Sequence, residues 1–253
     1  MADERISISN NEIAFDHIIN KLSKKLVVPS TGVYNGIKKF EKINMKKVSV
    51  IPYTYDFTKY DTPDEQKIID IRNKFQCSLL LIMVSRLIKL KRHHVVFPVI
   101  KELAEEGYDI KMLVLDEGSE KENLREYIKK NNLHNHIFLL GYKTDFINYM
   151  AASDMLIQPS LTDASNSVAK EMGLLGKAIA VSKGVGDYDD YVIEHVNGYL
   201  ISTEQTRKHL KEIIIDAYNN PGKLHEMGLN LKHEIWRRFN NSPEIISMYE
   251  TLL

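Results

Sequence analysis

Apolar positions along the 253-residue chain follow two periods, and their alternation outlines the fold. Residues 79–85 (LLLIMVS), 111–116 (KMLVLD), 136–141 (HIFLLG), 155–160 (MLIQPS) and 178–182 (AIAVS) are short, nearly continuous apolar runs. Runs of this length with polar flanks predict strands covered on both faces. Between them, 92–106, 120–131 and 145–152 carry helical spacing, and another helix opens at Ala164–Ser167. A turn at Asn197-Gly198 leads into a last short strand within 191–202, and helices at 204–219, 221–239 and 243–253 follow. Upstream, the pattern predicts a helix at 11–25, a strand at 26–31, a helix at 33–43, a strand at 48–52 and a proline-capped helix at 61–75. Strands alternating with helices at this spacing predict right-handed βαβ units. The fold class is therefore α/β, a Rossmann-like, doubly wound parallel sheet.

Ligands of such sheets bind outside the carboxyl ends of the strands, so the residues after each strand carry the candidate chemistry. The most informative of them is PSLTDASNSVAKEMGLLG, 159–176. Thr162, Asp163, Ser165, Asn166 and Ser167 crowd a helix N-terminus, where the first N–H groups have no intrahelical partner and the dipole is positive. These residues suit an anion site, and they are equally ordinary N-caps. Asp163 and Glu171 bracket the turn with seven residues between them, one carboxylate at the helix mouth and one on its flank. After the 79–85 strand, Arg86 and Lys91 form a guanidinium and an ammonium able to clamp a diphosphate, while Lys89 and Arg92 are expected to face solvent. Tyr142 and Lys143 follow Gly141 and could offer backbone groups to a nucleobase edge. Gly118, Gly141, Gly184 and Gly186 fall at turns.

Composition narrows this picture. Lysine plus arginine equals aspartate plus glutamate at 34 each, so no global charge favours nucleic acid. Cys77 is the lone cysteine, which excludes an internal disulfide or thiolate metal cluster and favours a reducing compartment. No apolar run approaches a membrane span and the start does not resemble a signal peptide, so a cytoplasmic protein is expected. Eight lysines against Glu41 between Lys21 and Lys47 form either a solvated face or a surface for anionic lipid, at most a peripheral contact at the inner membrane face. His93-His94 is a poor metal pair because adjacent helical side chains diverge. Asp187, Asp189 and Asp190 could hold a divalent cation, which a basic clamp makes unnecessary. Neither a GxSxG elbow nor a GxxxxGK[ST] loop is present.

Taken together, VSRLIKLK, the Gly118 turn, IFLLGY, SDMLIQPS, D-x7-E running into GLLGKAIAVSKGVG, and VNGYLI resemble the retaining GT-B glycosyltransferases of the large group-1 (GT4) family. The resemblance runs in order over about residues 26–240. It implies that 63–240 is the nucleotide-sugar donor domain, that 1–62 is a remnant of the acceptor domain with the hinge, and that 241–253 is a helix crossing back. It further implies that Arg86 and Lys91 hold the donor diphosphate, that Asp163 contacts sugar hydroxyls and Glu171 the ribose, and that the backbone of Ala164, Ser165, Asn166 and Ser167 binds sugar and phosphate. The chain departs from the family pattern at three points. Asp163 stands for glutamate, Ala164-Ser165-Asn166 for a glycine-aromatic-glycine turn, and Asp116 for the first glycine of a GxG.

The implied activity is retaining transfer of a hexosyl group from a UDP- or GDP-sugar, without metal or other cofactor. The acceptor would be a glycan or a lipid-linked molecule, and a separate acceptor-domain partner would be needed if the chain works as a subunit. The alternatives are a non-catalytic nucleotide-sugar-binding module, a sugar-nucleotide epimerase of the same architecture, and an α/β domain with no nucleotide ligand.

Overall fold

A computed structural model describes residues 18–40, 43–60, 62–241 and 243–251. The strands are β1 (Leu26–Val28), β2 (Val48–Val50), β3 (Leu79–Val84), β4 (Ile110–Leu115), β5 (Ile137–Gly141), β6 (Met155–Gln158), β7 (Ala178–Ser182) and β8 (Tyr199–Ile201). The helices are α1 (Thr31–Phe40), α2 (Glu65–Lys74), α3 (His93–Glu105), α4 (Lys121–Lys130), α5 (Phe146–Ala152), α6 (Ser167–Leu174), α7 (Tyr188–Tyr191), α8 (Thr206–Asn219), α9 (Pro221–Phe239) and α10 (Pro243–Glu250). The expected strands and helices are present. The exceptions are α7, which had no periodic signal in its four residues, and the start of the 11–25 helix, which lies outside the described residues.

The last six strands form one parallel sheet in the order β5-β4-β3-β6-β7-β8. Successive strands add outward from β3 in one direction and from β6 in the other. The reversal between them, registered by Leu81 on Met155 and Ile82 on Leu156, is a topological switch point. Alternate residues of the same strands serve opposite faces. Leu81, Met83, Met112, Val114 and Ile157 pack under α3, α4 and α8, whereas Leu80, Ile82, Leu113, Leu115 and Leu156 pack under α5, α6 and α9. Burial on both faces is why these runs are continuously apolar rather than alternating.

β1 and β2 pair in parallel as a separate two-stranded sheet, Leu26 on Val48. The chain enters and leaves the larger unit side by side: the Tyr55 N–H donates to Phe239 O at 2.8 Å and the Asn241 N–H to Tyr55 O at 2.9 Å. α10 then returns toward the small sheet, where Tyr249 Oη donates to Pro52 O at 3.5 Å and Lys25 Nζ to Thr251 O at 3.2 Å. Among the described residues, no helix is long and apolar enough to cross a membrane.

One glycine fixes how α9 seats on the sheet. A Cβ at Gly228 would lie 2.1 Å from Gly176 O and 2.9 Å from Lys177 Cα, both backbone atoms. Alanine in a helix interior ordinarily gains up to ~1 kcal/mol over glycine. At this contact the overlap dominates, and Gly228→Ala is expected to cost about 2 kcal/mol. Urea denaturation midpoints check it, and an unchanged or higher midpoint would show that the helix can slide away freely.

Candidate functional site

The switch point brings the loop after β3 against the loop after β6. The Leu161 N–H donates to Leu90 O at 2.9 Å, seating the β6 loop on the 3-10 turn Lys89–Lys91. Lys91 Nζ thereby reaches Asp163 Oδ2 at 3.0 Å, with both side chains 15% exposed. Lys91 therefore meets the helix mouth through Asp163, a pairing that sequence spacing alone does not reveal. Arg86 stands at the exposed end of β3, and its guanidinium has no hydrogen-bond or ion-pair partner among the described residues. Arg92 departs from expectation. It is half-buried, takes a left-handed φ of 60° as the N-cap of α3, and donates from its guanidinium to Thr206 Oγ1 at 2.8 Å.

The mouth of α6 is braced by its own side chains. Asn166 is the N-cap, its Oδ1 accepting from the Ala169 N–H at 2.8 Å, and its Nδ2 donates to Asp163 Oδ2 at 2.9 Å. Asp163 Oδ1 accepts from the Ala164 N–H at 3.1 Å. Ala164 and Ser167 are exposed at this mouth. The Asn166 N-cap and the contact of Lys91 with Asp163 thus coexist in the same turn.

Beside it, Glu171 opens on a cavity of about 250 Å³ lined by Lys59, Tyr60, Thr144, Phe146 and Ile147. Glu171 Oε2 is buried without a partner among the described residues, and burial raises its carboxyl from its ordinary value, Lys170 opposing. The Tyr60 hydroxyl is pushed up to about 12 by burial and by the Glu171 charge. Thr144 belongs to this cavity lining, while Tyr142 is 69% exposed and Lys143 half-buried beyond it. A larger cavity, about 470 Å³ and lined by Arg72, Asp154, Lys177 and His225 among others, lies at the amino ends of β3, β6 and β7, away from these loops.

The glycines are structural at close range. A Cβ at Gly118 would lie 2.4 Å from Leu87 O, so the β4 loop can pack on the β3 loop only with glycine there. Asp116, where the family resemblance expected glycine, adopts φ 100° and accepts the Glu117 N–H at 2.7 Å. Gly32, at the start of α1, abuts Gly186 O at 2.4 Å from a notional Cβ, and this places the small sheet's first helix beside the site.

One further charge, Lys170, and its pairing with Asp187 carry no signal in the sequence. Lys170, 1% exposed, pairs at 2.7 Å with Asp187, 2% exposed, directly beneath the α6 mouth. Burial lowers the Lys170 ammonium, with the Asp187 charge opposing. Asp187, Asp189 and Asp190, which could have held a cation by sequence, diverge. Asp187 faces Lys170, Asp189 accepts the Gly184 N–H at 2.6 Å, and Asp190 accepts the Thr31 N–H at 2.9 Å. No cluster of metal-ligating side chains forms among the described residues.

This sheet order, with its loops gathered at the switch point, is the Rossmann-like half of the GT-B architecture. Residues 64–234 match the model of the family "Glycosyl transferases group 1", and the chain belongs to that family. It is 26% identical over 130 residues to an uncharacterized glycosyltransferase of Methanocaldococcus jannaschii, covering 51% of this chain and 32% of that one. It is 21% identical over 242 residues to the poly(ribitol-phosphate) alpha-N-acetylglucosaminyltransferase of Staphylococcus aureus, covering 93% of this chain and 47% of the relative. The chain thus spans about a third to a half of the length of these curated relatives. Anabaena HepE, crystallised with UDP and glucose, superposes with a TM-score of 0.84 at 20% identity, covering 97% of this chain and 67% of that one. At that identity the likeness is one of fold.

Proposed function

We propose that this chain binds a nucleoside-diphosphate sugar, UDP- or GDP-linked, and supplies the donor half of a retaining hexosyl transfer that needs no metal. One observation carries the reading: at the switch point the Lys91–Asp163 pair ties the loop after β3, which also carries the exposed Arg86, to the N-terminus of α6, the helix whose Glu171 opens on the 250 Å³ cavity. Family membership supports it, as do the UDP and glucose in the HepE crystal.

In this reading the Glu171 carboxylate accepts from the ribose, and backbone at Tyr142 and Lys143 borders the base. Arg86 and the first-turn N–H groups of α6 face the diphosphate. Lys91 has three donors, so it can keep Asp163 and still donate to a phosphate oxygen. As the bond from the anomeric carbon to the phosphate oxygen breaks, charge accumulates on the departing diphosphate. Preorganised donors in that position lower the barrier electrostatically. Asp163, held by Lys91 and Asn166, is directed toward the sugar hydroxyls, with the backbone of Ala164, Ser165 and Ser167 alongside. The domain assignment goes with the mechanism: 63–240 as donor domain, 1–62 as the acceptor-side remnant with the hinge, and 241–253 as the helix crossing back. The acceptor, a glycan or a lipid-linked molecule, would approach from the β1–β2 side, and the lysines of 21–47 would face anionic lipid there.

Calorimetry with UDP, GDP, ADP and dTDP, each with and without sugar, tests the donor class. Arg86→Ala is expected to weaken diphosphate binding by at least ~1.5 kcal/mol, the worth of a hydrogen bond to a charged group, with uridine affinity unchanged. Equal affinity in the variant would remove Arg86 from the clamp. A second reading is a nucleotide-sugar-binding module without turnover of its own, which uses the same Lys91–Asp163 and Glu171 groups. Transfer to any acceptor by this chain would exclude it.

A further inference from the structure

Lysine is seldom fully buried, and Lys170 is buried in contact with the loop that shapes the candidate site. Its Nζ donates to Asp187 Oδ2 at 2.7 Å, to Ser165 Oγ at 2.9 Å and to Asn166 O at 3.2 Å. Ser165 Oγ in turn donates to Asp187 Oδ2 at 2.7 Å. The ammonium also faces three rings, with centroids at 4.6 Å for Phe239, 5.4 Å for Tyr191 and 5.8 Å for Tyr55. Phe239 and Tyr55 are the residues at which the chain crosses between the two sheets. Lys170 therefore touches the 163–167 loop, the segment before α7, and both crossing strands at once.

We infer that Lys170 and Asp187 are positioning residues that hold the 163–167 loop in its ligand-ready shape, acting through Ser165 and Asn166. The inference deepens the donor reading, on which its functional side rests. The physical reason lies in the loop's composition. Ala164-Ser165-Asn166 stands where the family resemblance expected a glycine-aromatic-glycine turn, so neither glycine freedom nor an inserted ring sets the loop's path. The path is set instead by hydrogen bonds from beneath. Glu171, the next residue along α6, projects about 100° away into the 250 Å³ cavity. One helical turn thus fixes the ribose-side carboxylate and, through its neighbour, the diphosphate-side loop. The pair also satisfies the need of each buried charge for the other, so loop shape and burial are mutually dependent.

The test uses the full chain carrying Lys170→Met with Asp187→Asn, which removes both charges and the Lys170 donors while nearly keeping volume. Hydrogen exchange at the Ala164 and Ala169 amides is expected to quicken at least tenfold, with β3 and β6 amides unchanged. UDP-glucose affinity is expected to fall at least tenfold while UMP affinity holds. A purely structural pair would move the denaturation midpoint and leave both the loop exchange and the UDP-glucose to UMP ratio untouched, overturning the inference. If the double variant does not fold, Ser165→Ala replaces it. Faster exchange at Ala164 then supports the loop's dependence on this cluster, and unchanged exchange overturns it. Should the native chain bind no nucleoside diphosphate at all, the donor reading falls while the exchange arm still decides the positioning role.

Discussion

Lys170→Met alone is expected to destabilise the protein by about 3–5 kcal/mol, the cost typical of breaking a buried ion pair from one side. The magnitude comes from what is left behind rather than from what is removed. Asp187 is 2% exposed, and its Oδ1 already lacks a partner, so without the ammonium the carboxylate keeps only Ser165. Phe239, Tyr191 and Tyr55 cannot solvate an anion with their faces, since the same ring quadrupole that attracts the ammonium repels a carboxylate. The double replacement, which removes both charges, is expected to recover most of the loss, because an apolar or neutral pair of similar volume is often as stable as a buried ion pair. Urea denaturation of the two single variants and the double variant closes a cycle whose coupling term should be large and favourable. A single-variant loss below about 1 kcal/mol would mean that water reaches Asp187 and that the pair is not isolated from solvent.

That cluster also shows where sequence reasoning stops. The strands were legible because burial on both faces leaves a run of apolar residues whatever their partners. The candidate site follows from the rule that ligands gather at strand ends, and the structure places Arg86 and Lys91 after β3 and Asp163 and Glu171 after β6. What could not be read was pairing. Lys170 follows Ala169 in a capped helix and looks like any surface lysine. Only α9 packing on α6, together with the short helix at Tyr188–Tyr191, closes it off from water. Asp187 sits in a run with Asp189 and Asp190 that suggests a shared cation, yet successive side chains in that turn diverge to an ammonium and two separate N–H groups. Arg92, likewise, reads as a solvent-facing residue from its local sequence. Its left-handed backbone, which turns it toward Thr206, is a tertiary outcome with no local signal. Local pattern therefore gave the frame and the ends of the strands, while long-range contacts determined which charges are spent on one another and which, like Arg86, have no partner among the described residues.

The second large effect is expected in acid. His93, the first residue of α3, is 1% exposed, has Nε2 3.4 Å from Ser85 Oγ, and buries Nδ1 without a partner. Burial, reinforced by the charges of His94 and Lys91, lowers its imidazole to about 4 from an ordinary 6.5. The unfolded chain takes up a proton near pH 6.5 and the folded chain only near 4, so between those values the unfolded state binds more protons and stability rises with pH. Stability from this residue is therefore complete above about pH 6.5 and declines as pH falls toward 4, by about 3 kcal/mol over the interval. Carboxylates titrate in the same range, so the measurement is a difference: urea midpoints of the native chain and of His93→Phe at intervals from pH 4 to 7. The native curve should be the steeper of the two, and parallel curves would mean that the protonated ring finds solvent or a partner. His93 lies two residues beyond Lys91, and an imidazolium there would repel that ammonium from within the fold. Keeping the ring neutral leaves the positive charge of this strand end on Lys91 and on the exposed Arg86 rather than in the core.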